Sequence, residues 1–192
     1  MALNLDSMKS GGSTVERIPE GTYMGRVNSV VDLGIQPQTD YQTGAEKPSK
    51  PELLITFELP TETYTVDSDE GEVEKTRLIS KRYTQSNSER SNLYRLVVTL
   101  KPGISDVSEL VDEPCMISVG STVSGNAKIT DIIKPPSGMP VPEMTREGSF
   151  FDFDSPEEDL FLKQPPWVQE VIKGADNYQG FADDWKLEEE SS

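Results

Sequence analysis

The chain has no histidine and a single cysteine among its 192 residues. The first absence removes the commonest general base and the commonest zinc ligand together. With only Cys115 beside it, Cys/His zinc sites, Cys/His and Ser/His/Asp relays and an intrachain disulfide are all excluded. Cys115 lies in the apolar run "CMISV" and reads as a buried, reduced thiol, which suits a cytosol. No apolar run reaches 18 residues and "MALNLDSMKSGG" has no hydrophobic centre, so neither a membrane span nor a signal peptide is expected. Both common glycine patterns that cradle phosphates are missing. Apolar residues are scarce as well, at 34% with a mean hydropathy of −0.53, which is little for a chain packed along its whole length. Carboxylates with Mg²⁺ are the chemistry left over. Their one dense group, "FDFDSPEED" (151–159), reads as a solvated acidic linker. The chain is therefore expected not to be an enzyme and to hold no metal or cofactor.

What the chain has is acid, unevenly placed. Its formal net charge is −16, from 18 basic and 34 acidic residues. Residues 137–192 carry 4 basic and 14 acidic groups, whereas residues 1–136 carry 14 and 20. The C-terminal part opens on "PPSGMPVPEM" and closes on "DDWKLEEESS", the composition of an interaction tail. One short helix is expected in it, "PWVQEVIKG", with Pro166 in its first turn and Gly174 at its end. The expected organisation is a flexible arm (1–19), one domain (20–136) and a Pro-rich linker with an acidic, flexible tail (137–192).

Within the domain the period is mostly two. "GTYMGRVNSVVDLGI" (21–35) alternates, with Gly25 marking a bulge or bend. "QPQTDYQTGAEKPSKP" (36–51) reads as a long polar loop. "ELLITFEL" (52–59) puts Leu53, Ile55, Phe57 and Leu59 on one face, and "TYTV" and "TRLISKRYT" (76–84) flank an acidic hairpin tip. The period then changes: Ser86 and Glu89 form a capping-box pattern ahead of Leu93, Leu96, Val97 and Leu100, and Pro102-Gly103 stops the helix. "CMISVGSTV" and "AKITDIIK" close the domain as a hairpin. A mainly β fold follows, a five-stranded barrel of the oligonucleotide-binding (OB) type with one helix between strands three and four. An SH3-like barrel or a small β-sandwich accommodates the strands but less naturally the helix.

Residues 75–101 stand out in so acidic a chain. They hold Lys75, Arg77, Lys81, Arg82, Arg90, Arg95 and Lys101 against Glu89 alone. On the expected barrel Lys75, Arg77, Lys81, Arg82 and Tyr83 lie on the third strand, and Arg90 and Arg95 on the helix after it. Binding single-stranded nucleic acid without sequence preference needs cations along the backbone path and rings for bases to stack on. Tyr83 is the ring inside the run; Tyr23 and Arg26 on the first strand and Tyr41 in the long loop are further candidates. Against each stands a plainer reading, half-buried packing for the tyrosines and a solvated surface for single arginines. The clustering carries the argument.

With those residues in view the chain resembles the phage-encoded single-stranded-DNA-binding proteins of the OB fold. The resemblance spans about residues 20–135 and rests on "GTYMGRVNSVVDLG", "ITFELP", "LISKRYTQSNSERSNLYRLV" and "CMISV…AKITDIIKPPSGMPVP". It implies coating of template during DNA replication, recombination and repair in the cytoplasm of a host bacterium, with Lys81 and Tyr83 contacting DNA. It also implies an acidic tail that recruits replication or recombination proteins, with Trp167, Phe181, Asp183, Asp184 and Trp185 as its handles. Such a tail, tethered to a basic face, is expected to compete with DNA. Homo-oligomerisation is left open. Two other classes remain: an acidic protein-interaction factor, such as a DNA mimic or host-takeover inhibitor, and a structural virion β-protein.

Overall fold

The computed structural model describes residues 17–191. The N-terminal arm expected over 1–19 lies almost wholly outside them. The fold is mainly β. Its strands are β1 (Gly21–Thr39), β2 (Glu46–Ser68), β3 (Gly71–Thr84), β4 (Pro114–Ser121), β5 (Ala127–Ile133) and β6 (Ser149–Phe151). Its helices are α1 (Asn92–Leu100), α2 (Glu158–Leu162), α3 (Pro166–Lys173) and α4 (Phe181–Ser191), with a 3-10 turn at Val107–Leu110. The sheet runs β3-β2-β1-β4-β5 with antiparallel neighbours, and β6 adds to β1 in parallel. β3 and β5 approach one another, but no ladder joins them among the described residues. No described helix is long and apolar enough to cross a membrane.

β1 serves two neighbours on one edge. Gly21–Arg26 pairs with β4, and Ser29–Val31 pairs with β6 where β4 has ended. Its other edge pairs with β2 from Arg26 to Thr39, with register shifts after Val27, Asp32 and Gln36. The first shift breaks the simple alternation: Val27 and Val30 both enter one core, while Val31 and Leu33 enter a second. Gly25 is not the bulge. A Cβ there would stand 2.9 Å from Ile117 and 3.0 Å from the Glu58 carbonyl, so its role is close packing.

Leu53, Ile55, Phe57 and Leu59 of β2 are buried on one face, as their alternation requires. The segment 36–51 is not a loop. Both its halves continue the β1–β2 ladder as an exposed ribbon, leaving only a tip at 40–45. Backbone pairing does not depend on apolar side chains, so the polar composition concealed it. The tip is fixed by Asp40, whose Oδ1 accepts from Gln42 N–H at 2.9 Å and Thr43 N–H at 3.1 Å.

The helix stripe Leu93, Leu96 and Leu100 is buried. The N-cap, however, is Ser91, whose Oγ accepts from Tyr94 N–H at 3.1 Å. Ser86 lies in the preceding loop, where its Oγ accepts from Ser88 N–H. The helix starts where the apolar stripe starts, and the capping-box pattern at 86–89 is left outside. A complete capping box occurs instead at Asp106 and Glu109.

The largest departure is the C-terminal segment. Phe151, Phe153, Phe161, Val168, Ile172, Ala175 and Ala182 are buried with Val31, Leu33 and Leu54 in the second core. The segment expected to be a flexible tail thus packs on the sheet face opposite the first core. Cys115 sits in the first core with no exposure, and burial pushes its thiol up to about 12.

Candidate nucleic-acid interface

The basic run does not form one face, because a strand sends successive side chains to opposite sides. Leu78, Ser80 and Arg82 point outward from β3, while Ile79 and Tyr83 belong to the first core. Tyr83 is 4% exposed, and desolvation raises its hydroxyl far above the usual tyrosine value. It cannot stack on a base. Its truncation to Ala would open the core, so lost binding would not report a contact. Lys81 is half-buried with its Nζ 5.5 Å from the Tyr83 ring centroid. Arg77 is 8% exposed and lies over Tyr64, 5.6 Å from its centroid.

The other candidates scatter. Arg26 is a clamp: its guanidinium donates to the carbonyls of Asp112, Val141 and Pro142 at 2.9–3.0 Å, which ties the linker to β1. Tyr23 is half-buried and donates to the Pro19 carbonyl at 2.6 Å. Lys75 is exposed on the distal β2–β3 ribbon, beside the acidic tip. Arg95 is exposed on α1, whereas Arg90 lies in the turn before that helix. Tyr41, 90% exposed, stands at the tip of the β1–β2 ribbon.

Two of the concavities among the described residues are lined by β3, whose outer row joins them. The first is a basic corner where Lys50, Arg82 and Arg90 line a hollow with Ser86, Ser88 and Ser91 at the start of α1. Arg82 Nη1 lies 3.5 Å from Glu52 Oε2, a buried oxygen with no hydrogen-bond donor; Glu52 Oε1 accepts from Gln38 at 2.6 Å. The second is a groove of about 680 Å³ on the outer face of β2 and β3. One wall is Thr56, Leu78 and Ser80; the other is the C-terminal segment, with Arg146, Lys163 and Trp167. From Leu78 to Arg82 the row spans about 13 Å at about 3.3 Å per residue.

A strap at 141–148 sets the second wall. Glu58 on β2 is fully buried. Its Oε1 accepts from Thr145 N–H at 2.9 Å, Thr145 Oγ1 at 2.7 Å and Thr76 Oγ1 at 2.8 Å, and its Oε2 from Arg146 N–H at 3.2 Å. Burial alone would raise this carboxyl, but those bonds outweigh it and hold the pKa below its ordinary value. Arg146 in turn donates to the Thr76 carbonyl and hydroxyl, which aims its side chain across β3.

Two of the five proposed tail handles, Phe181 and Trp185, pack against the second core. Phe181 touches the rings of Phe151, Phe153, Phe161 and Tyr178, and Trp185 lies 5.8 Å from Phe161. Asp183 and Asp184 are exposed on α4. Only Trp167, 51% exposed, offers a large open ring, and it faces the groove. Lys50, Arg146 and Lys163 were not legible as site residues in the sequence, because Lys50 lies in a polar stretch that read as a loop and Arg146 and Lys163 are isolated cations in an acidic segment.

Asp152 and Asp154 of "FDFDSPEED" converge with Asp32, with carboxylate oxygens within 4.8 Å of one another. Burial raises Asp32, bonds from Gly34 N–H and Gln85 partly offset that, and the charges of Asp154 and Asp152 raise it further. A carboxyl raised in the fold stabilises it below the unfolded pKa and loses that contribution as pH rises through the folded one. Asp32→Asn keeps an acceptor for Gly34 and Gln85 and should raise the melting temperature at pH 7. The gain should vanish below about pH 4, where the wild-type carboxyl is protonated in both states; calorimetry at the two pH values checks it.

No protein-family model, curated protein or solved structure matches this chain.

Proposed function

We propose that the protein is a non-enzymatic, sequence-tolerant binder of single-stranded DNA whose sheet is an OB-type barrel left open between β3 and β5. The observation that carries this reading is the outer row of β3. Leu78, Ser80 and Arg82 form a path from a groove with an open ring to a corner with three cations. That combination of backbone charge and uncharged, ring-flanked surface is what an unpaired strand requires. It is also compatible with net acidity, since most of the acid is elsewhere: of the described carboxylates, Glu147 lines the groove and Glu52 pairs with Arg82 at the corner. Much of the rest lies on the distal β2–β3 ribbon, where Asp67, Asp69, Glu70, Glu72 and Glu74 are exposed, and on the outer side of the C-terminal segment. A role in phage DNA replication, recombination or repair, in a bacterial cytoplasm and with partner enzymes, is part of the same proposal.

The test is binding of labelled oligo-dT by anisotropy at two salt concentrations. Lys50→Glu with Arg90→Glu reverses two exposed cations while leaving the Arg82–Glu52 pair alone. The double variant should bind at least tenfold more weakly and show a shallower salt dependence. Unchanged affinity in a folded variant would move the site away from this corner. Duplex DNA should compete poorly, because among the described residues no exposed helix presents a polar face suited to a major groove.

A further inference from the structure

We infer that Trp167 is a base-stacking platform, so that the C-terminal segment is a wall of the binding site and not a tether beside it. This rests on the oligonucleotide reading above and assigns it a residue outside the five-stranded sheet.

The two tryptophans are placed differently. Trp185 packs against Phe161 and Phe181, with centroids 5.8 and 5.2 Å away. Trp167 is half open, although its helix has buried positions to offer: Val168 and Ile172 of the same helix are 1% and 0% exposed. Pro166 at the first position fixes the start of α3. Val168 and Ile172 then anchor the helix to the second core, so the ring is held over the groove by packing that it does not itself supply. A rigid, half-exposed indole of this kind is a low-entropy contact surface.

The opposite wall fits a flat, uncharged guest. Leu78 is 37% exposed, and the neutral hydroxyls of Thr56 and Ser80 bond each other at 2.8 Å, which occupies part of their hydrogen-bonding capacity. Cations flank the ring instead. The segment 137–192 has only four basic residues, Arg146, Lys163, Lys173 and Lys186, and two of them line this groove. Lys163 is partly engaged by Glu147 at 3.5 Å, an exposed pair that a phosphate can displace. Arg146 is oriented by Thr76. At about 680 Å³ the groove falls in the ordinary size range of ligand sites, about 300–1,000 Å³. Its continuation past Ser80 to Arg82 and the basic corner favours a strand over a free nucleotide, which would have no use for cations farther along.

With only two tryptophans in the chain, fluorescence can separate the outcomes. Full-length protein is titrated with oligo-dT while intrinsic emission and the anisotropy of labelled oligo-dT are followed in parallel. Emission should be quenched on binding, the quench should survive in Trp185→Phe, and it should disappear in Trp167→Leu. Trp167→Leu keeps apolar bulk but no ring and should bind about tenfold more weakly or worse, whereas Trp167→Phe should recover most of the loss. Wild-type binding without a quench, or with Trp167→Leu at wild-type affinity, overturns the stacking role and leaves the DNA-binding reading intact. A wild-type protein that fails to bind oligo-dT at all overturns both. If Trp167→Leu loses its circular dichroism spectrum, the comparison of Trp167→Phe with wild type and the location of the quench decide alone.

Discussion

Removing residues 149–192 is expected to unfold the protein, not to release it for tighter DNA binding. The segment covers Val31, Leu33 and Leu54, which are at most 3% exposed and sit on the sheet face away from the first core. Without it these side chains meet water, and the burial of Phe151, Phe161, Val168 and Ile172 is lost as well. Each large apolar side chain contributes about 1.5–3 kcal/mol when buried. Four of them alone approach or exceed the whole stability of a typical domain, about 5–15 kcal/mol. The truncated chain should express as aggregate, or show a loose, dye-binding state with no cooperative melt. Calorimetry and gel filtration check this. A soluble truncated protein with a sharp melt and higher affinity at low salt would restore the picture of an acidic tail competing for the DNA site.

Substitution of Glu58 is expected to have the next largest effect, and its pH dependence identifies the cause. Four donors converge on this carboxylate, three of them from the strap at Thr145 and Arg146. Glu58→Ala leaves those donors without an acceptor, at about 1–3 kcal/mol for each one that water cannot reach, and should cost about 3–5 kcal/mol in all. For a chain of this size that is a fall of about 6–20 °C in melting temperature. Glu58→Gln keeps the shape but turns an amide N–H₂ toward donors, and should lose a smaller amount. The folded pKa of Glu58 is depressed, so its contribution is complete above the unfolded pKa and is lost as pH falls through the folded one. The difference between wild type and Glu58→Gln should therefore be largest near neutral pH and should shrink below about pH 4. A difference that stays constant from pH 7 to pH 3 would show that packing, and not the carboxylate's bonds, holds the strap. Because the strap carries Arg146, both variants should also weaken oligo-dT binding at temperatures where they remain folded.

The local pattern of this chain is largely decided by its sequence. Alternation over Leu53–Leu59 fixes which face of β2 enters the first core, the stripe of Leu93, Leu96 and Leu100 fixes α1, and Pro166 with Gly174 bounds α3. These are nearest-neighbour effects of side-chain period and backbone stereochemistry, and they need no partner to be read. Even the packing of the C-terminal segment left a trace. Eight of the chain's fourteen aromatic residues lie in 137–192, more than a solvated tail has reason to carry. The net acid charge masked that signal, because charge was averaged over the segment while burial acts on single side chains.

Only the tertiary structure decided which charges share a surface. The run 75–101 is one cluster along the chain, but strand geometry buries Arg77 and Tyr83, half-buries Lys81 and leaves Arg82 outside. The corner that results draws on Lys50, some thirty residues upstream of Arg82, and the groove draws on Arg146, Lys163 and Trp167, far downstream. Antiparallel pairing and a bulge at Val27–Ser29 bring them together, and no local rule specifies either register. The sequence determines the faces that each element must bury; the packing of a second core onto the back of the sheet determines which of the remaining faces become a site.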